Sequence, residues 1–168
     1  MNKMLRALSL LMVLVLALTG CGLEVPRPEI KEGEFNFSVT YEFNGEIRTV
    51  SGVYACKYNG TDWALDGGSH RDWVGYIKGG EIEEMIEIGT TADGGRVDLN
   101  LAFYPEYFMG DPLTGGKEAP VPRLTVCLQN GEGMWFENDA DYIAENYGAR
   151  IISYEYDEPI ENSFGILK

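Results

Sequence analysis

Residues 34–43, Glu34-Phe35-Asn36-Phe37-Ser38-Val39-Thr40-Tyr41-Glu42-Phe43, place an aromatic or β-branched side chain at every second position and a polar one between. Successive side chains of a strand point to opposite faces, so this period of two describes a strand with one buried and one wet face. Asn44-Gly45 follows at once. Both residues tolerate positive φ, which makes the pair a strong hairpin signal. The return strand is expected from Glu46 to about Tyr58. A strict two-residue loop would set Glu46 opposite Phe43, whereas a loop one residue longer sets Ile47 there. Matching apolar to apolar favours the longer loop. Gly52 interrupts the return strand and is read as a bulge, and Asn59-Gly60 as the next turn.

The same alternation extends along the chain. Residues 61–80 are rich in glycine, with short strands expected near Trp63 and over Trp73-Val74-Gly75-Tyr76-Ile77. Met85 to Thr91 and Val97 to Phe103 flank Asp93-Gly94-Gly95 as a second hairpin. Residues 104–120 hold Pro105, Pro112 and Pro120 with three glycines, and read as a loop. Val121 to Gln129 is the next strand, Asn130-Gly131 its turn, and Met134-Trp135-Phe136 the return. One helix is predicted over 139–147. Asn138 or Asp139 caps it, and Ala140, Ile143, Ala144 and Tyr147 line one face before Gly148 stops it. A last strand runs from Arg150 to Tyr156 and ends at Asp157-Glu158-Pro159. The fold class is mainly β: an antiparallel β-sandwich or open barrel with one short helix near 139–147.

The N-terminus is of another kind. Lys3 and Arg6 precede an apolar run from Ala7 to Leu18, and Leu18-Thr19-Gly20-Cys21 follows. A basic flank, a short apolar stretch and small residues make a secretory signal, and the run is shorter than the roughly 20 apolar residues of a membrane span. Leu18-Thr19-Gly20-Cys21 resembles the lipobox of bacterial lipoproteins. The resemblance covers residues 1–21 alone. It implies removal of residues 1–20, lipid on the Cys21 thiol, and a domain held on the extracytoplasmic side of the cell membrane. Two acyl chains on one cysteine meet the requirement for stable anchoring. Residues 21–33 then read as lipidated cysteine and flexible tether, since Pro26 and Pro28 disfavour helix and the charged residues around them keep the segment wet. Residues 22–33 in a polyproline-like conformation would reach about 37 Å at roughly 3.1 Å each. Residues 34–168 remain as one β-rich domain.

The whole sequence carries a formal net charge of −14. Losing residues 1–20 removes two basic residues and no acidic one, which makes the mature chain more acidic still. Nucleic acid is excluded as a partner, because binding it requires basic surface to displace counterions. Anionic headgroups would repel the domain, so contact with the membrane falls to the lipid on Cys21. Outside the cytosol, Cys56 and Cys127 could form a disulfide or remain as two separate small core residues.

Catalytic chemistry is sparsely represented. His70 is the single histidine, and no CxxC, HExxH, P-loop, dinucleotide fingerprint or G-x-S-x-G pattern occurs. Ser69-His70-Arg71-Asp72 holds triad letters, but neighbours on one segment point apart, whereas triad partners converge from separate elements. No metal site and no cofactor is expected. Glu137-Asn138-Asp139-Ala140-Asp141 is the densest oxygen cluster and is accounted for by capping, with Asp66 and Asp72 a weaker pair. The remaining lead is aromatic. Tyr104, Tyr107 and Phe108 sit in the proline-bounded loop, and His70, Asp72 and Trp73 in the glycine-rich one, where a rigid sheet commonly displays functional side chains. These six are the candidate binding residues, for a protein or carbohydrate ligand of the cell envelope. The acidic neighbours Asp72, Glu106 and Asp111 would favour polar or cationic ligands. The primary expectation is a non-enzymatic binding module. The alternatives are a small envelope hydrolase using carboxylates or His70, and a structural envelope component.

Overall fold

The first hairpin sets the geometry of everything else. In the computed structural model, which describes residues 25–63, 69–80, 84–112, 119–130 and 133–165, β2 (Glu32–Phe43) pairs antiparallel with β3 (Glu46–Trp63). The alternation in 34–43 is realised: Phe35, Phe37, Val39, Tyr41 and Phe43 are all buried. The turn is tighter than the apolar match suggested. Phe43 pairs with Glu46, and Asn44 and Gly45 take φ of 52° and 80° as a two-residue loop. Ile47 is left exposed, and the tip carries a Glu46–Arg48 ion pair in solvent. Beyond the edge of the core no apolar partner is required, so turn chemistry alone fixes the register.

Gly52 is not a bulge. It pairs regularly with Phe37, and a Cβ there would meet the Phe37 ring at 3.0 Å, so the glycine makes room for an aromatic ring. Asn59-Gly60 is not a turn either. β3 runs through it, and the register against β4 (Ser69–Ile77) shifts between Tyr58 and Gly60, with Gly60 at φ 121°. The bulge expected at one glycine therefore sits at another. Bulges let a long strand bend and twist, and β3 is eighteen residues long.

β5 (Met85–Thr90), β6 (Arg96–Asn100), β7 (Arg123–Asn130) and β8 (Gly133–Glu137) form a second antiparallel sheet in the order β5-β6-β7-β8. The first sheet has the order β4-β3-β2-β9, where β9 is Ala149–Tyr156. Val97, Leu99, Leu124 and Val126 of the second sheet share one core with the aromatic face of β2 and with Tyr54. The protein is mainly β, with antiparallel sheets, one of them curled as a half-barrel, and, among the described residues, one short helix of more than one turn. That helix, α2 (Ala140–Tyr147), lies where the sequence put it. Asp139 Oδ1 accepts from Tyr142 N at 2.9 Å, Gly148 ends it at φ 62°, and Ile143 is fully buried. It packs on β7 and β9 and so joins the two sheets on one side.

Two expectations are corrected in the segments that flank the site. Residues 104–120 were read as a loop, yet Pro105–Phe108 form one helical turn, α1, with proline at its start. Proline is pre-set for that position, and its missing N–H costs nothing there. Residues 25–33 were read as part of a flexible tether, but they are docked. β1 (Arg27–Pro28) pairs with β10 (Phe164–Gly165), Val25 and Pro28 are buried, and Glu29 N donates to Ser163 O at 2.9 Å. Asn162 closes both ends of the junction: it accepts from Ile30 N at 3.0 Å and donates to Ile30 O at 2.8 Å. Residues 25–33 looked solvated because their partners lie far along the chain, at Tyr58, Arg71 and 162–165. Cys21 and the signal segment lie outside the described residues.

Candidate functional site

The end of β9 and the turn α1 face each other across an open cleft of about 530 Å³. One wall is Asn36, Phe37 and Ser38 of β2 with Tyr154, Glu155 and Tyr156 of β9, continued by Asp157 and Glu158. The other wall is Tyr107 of α1 with Ala119 and Pro120. The β2–β9 register explains the aromatic lining. Val39 pairs with Tyr154 and Phe37 with Tyr156, and antiparallel partners share a face, so both tyrosines stand on the inner face of the sheet. Because β9 is the last strand, that inner face runs out from under the core. Tyr154 is 44% exposed, whereas Val39 beside it is fully buried.

Each wall is held from behind. Tyr156 packs edge-on against Phe103 and Phe108, with centroids 5.8 and 6.2 Å apart, and its hydroxyl donates to Leu101 O at 3.0 Å. Burial pushes the Tyr156 phenol well above its usual range, and the neighbouring Tyr154 adds to it. Asp157 is clamped: its Oδ2 accepts from Asn36 N at 2.7 Å and Asn36 Nδ2 at 2.8 Å, while its own N–H donates to Asn36 O at 2.9 Å. Tyr107 meets Phe108 edge-to-face at 5.3 Å. Its phenol is raised by partial burial and then by the charge of Glu158, which lines the same cleft. Among the described residues no lysine, arginine or histidine lines this cleft, and the rim bears Glu155, Asp157 and Glu158.

The six residues named from sequence are dispersed. Tyr107 lines the cleft. Phe108 does not: it is fully buried, with its ring against Phe35 and Tyr54 at 4.8 and 5.5 Å, so it is a core residue that anchors α1. Tyr104 is 49% exposed but stands outside the cleft lining. His70, Asp72 and Trp73 lie on β4, at the opposite edge of the sheet from β9; α1 also packs on β4, but none of the three lines the cleft. Asp72 accepts from Asn59 Nδ2 at 2.6 Å, and His70 is half-buried opposite Asp62. Trp73 is buried, stacks edge-on against Tyr58 at 5.4 Å and donates from its indole to Asp111.

Asp111, proposed from sequence as an acidic neighbour attracting ligand, is inside the protein. Arg71 and Asp111 form a forked ion pair at 2.6 and 2.5 Å, with side chains 1% and 0% exposed. Arg71 also donates to Pro26 O at 2.8 Å and lies 4.0 Å over the Phe164 ring. One guanidinium thereby ties β4 to the N-terminal segment, the C-terminal strand and the end of α1. Cys56 and Cys127 are both free. Cys56 is buried on the inner face of β3, while Cys127 pairs across to Arg96 and Phe136 on the outer face of the second sheet. Thiols on opposite faces of different sheets cannot bridge without moving backbone. No His, Cys, Asp or Glu cluster suited to a metal occurs among the described residues, and Asp66 lies outside them.

Sequence reasoning missed Tyr154, Tyr156, Pro120 and the Asn36–Asp157 clamp. A signal existed: Tyr154 and Tyr156 alternate with Ser153 and Glu155 directly before Asp157-Glu158-Pro159, which marks an edge strand ending in acid. Compared with known proteins, the chain matches no family model, no curated protein and no solved structure.

Proposed function

We propose that the protein is a lipid-anchored, non-enzymatic binding module on the extracytoplasmic side of the membrane, with its ligand taken in the cleft between α1 and β9. The lipobox-like residues 18–21 support the anchor. The observation that carries the binding reading is the lining: three tyrosines and a proline on the walls, carboxylates on the rim, and His70 at the other edge of the sheet. Tyrosine offers a large, stiff contact surface with a polar tip, and such residues are enriched where proteins bind partners. A hydrolase would need a general acid and base converging on one bond. Of the carboxylates here, Asp157 is already committed to holding Asn36.

Two measurements test this. Intact mass of the membrane-extracted protein should show acyl chains on Cys21 as the first residue, and Cys21→Ala should lose them. Wild-type protein free of acyl mass overturns the anchor. For the cleft, the mature protein is titrated with solubilised envelope glycans and with synthetic peptides, read by amide chemical shifts. Shifts gathered around Tyr107, Tyr154 and Tyr156 are expected. Shifts gathered elsewhere, or turnover of the added compound, overturn the binding reading.

A further inference from the structure

We infer that the cleft takes an extended, basic peptide segment of a partner protein, which adds as a strand to the free edge of β9. This rests on the binding reading above and names its ligand.

Three independent features converge. The first is backbone. β9 ends the order β4-β3-β2-β9, so one side of it has no strand partner among the described residues. Asp157 N donates to Asn36 O, which turns the backbone of Asp157 toward β2. N–H and C=O of one strand residue point to the same side, and successive residues alternate. Ser153 and Glu155 therefore also face β2, and the backbone groups of Tyr154 and Tyr156 face the free edge. α2 packs along β9, and the cleft opens beside its last residues. A strand edge left open is a template for pairing with another chain.

The second feature is side-chain position. Tyr154 and Tyr156 turn their backbones to the open edge and their rings to the inner face. In an antiparallel addition the residues bonded to them would place their own side chains on that same face, inside the cleft, between the tyrosines and the Tyr107–Pro120 wall. The third is charge. Among the described residues the cleft carries Glu155, Asp157 and Glu158 and no basic side chain, in a chain of formal net charge −14. Lysine or arginine on the inward positions of the peptide would meet tyrosine faces and the Glu158 carboxylate together, a setting that favours cations. A neutral peptide would gain the backbone bonds alone, and an acidic one would be repelled.

The test uses the mature protein in phosphatidylcholine nanodiscs, which present no net lipid charge. The probe is a capped eight-residue peptide of alternating lysine and valine, with a glutamate–valine peptide as counterpart. Binding is read by calorimetry and by amide exchange at Tyr154 and Tyr156. The lysine peptide should bind, more weakly as salt rises, and should protect those two amides; the glutamate peptide should bind at least tenfold less. N-methylation of the lysine residues, which face β9 in this register, should weaken binding at least tenfold, and N-methylation of the valines should leave it nearly unchanged. Any other ordering of these peptides overturns the strand addition. Tyr154→Ala with Glu158→Gln, both exposed positions, should weaken the lysine peptide at least tenfold with an unchanged melting temperature; undiminished binding overturns the site. If neutral oligosaccharides shift the cleft resonances and the lysine peptide does not, the binding module stands and this inference falls. If neither moves them, both fall.

Discussion

Asp111→Ala should be among the most damaging single substitutions in the domain, although Asp111 lies in a connecting segment. The aspartate is fully buried and accepts from Arg71 Nε, Arg71 Nη2 and the Trp73 indole. Removing it leaves a guanidinium that is 1% exposed with the Pro26 carbonyl and the Phe164 ring as its remaining contacts. Breaking a buried pair by deleting one partner costs about 3–5 kcal/mol, because the surviving charge stays desolvated. The indole N–H that loses its acceptor adds about 1 kcal/mol or more. Against a total stability of about 5–15 kcal/mol, a loss near 5 kcal/mol would leave many molecules unfolded at room temperature.

Urea unfolding of wild type, Asp111→Ala and the double variant Arg71→Met with Asp111→Leu separates the charge from the packing. The single variant should lose about 5 kcal/mol. The double variant should recover most of that, since a buried pair exchanged for apolar side chains of similar size is often nearly neutral. A single-variant loss below about 1 kcal/mol would refute the burial argument. A double variant no better than the single would show that the damage comes from lost packing and not from an unpaired charge.

Two further substitutions or reactions read out the core. Gly75→Ala should destabilise by about 2 kcal/mol or more, checked by thermal unfolding, because its Cβ would collide with the Tyr54 hydroxyl, which is held in place by a ring stacked on Phe103 at 4.2 Å; a change under 0.5 kcal/mol would contradict the close approach. Thiol labelling of non-reduced native protein at pH 8 should modify Cys127 and spare Cys56, whose thiol burial pushes up to about 12, with Cys56 reacting only after unfolding. The same shift has a sign in stability: above the ordinary thiol range the unfolded chain gives up a proton that the folded chain keeps, so stability should fall as pH rises from about 9 toward 12. Cys56→Ser should flatten that fall, and an unchanged slope would count against the shift.

What the sequence made legible, and what it did not, follows from the range of the interactions. The strand at 34–43 and the helix at 139–147 could be read because the determinants lie within one element: a face, a cap, a stop. The hairpin loop was misjudged by one residue because apolar matching presumes that both partners reach the core, and Glu46 and Arg48 lie beyond it. Gly52 and Gly60 differ only in what crosses them. Phe37 lies over Gly52, while at Gly60 β3 bends, and neither fact is local. Asp111 read as a surface acid because its neutralising partner is forty residues away. The cleft draws on 36–38, 107, 119–120 and 154–158, so no single window contained it.

The docked N-terminal segment changes what the proposed anchor can do. A solvated tether over residues 22–33 would have let the domain stand some 37 Å from the headgroups and turn freely. With Val25 buried and Arg27–Pro28 paired to β10, only the steps from Cys21 to Val25 are left to span, at most about 14 Å fully extended. Such an anchor would hold the β1–β10 end of the domain near the bilayer, and β2, which runs from Glu32 to the Asn44-Gly45 tip, would carry that tip away from it. The cleft lies beside Asn36–Ser38, midway along that strand. Arg71 joins Pro26 O at this end to Asp111 at the close of α1, so the wall bearing Tyr107 is tied to the segment that would carry the proposed anchor. A binding surface fixed in this way would not search the envelope on a long leash. It would favour partners that present a flexible segment close to the bilayer, which is the kind of ligand an open strand edge can take up.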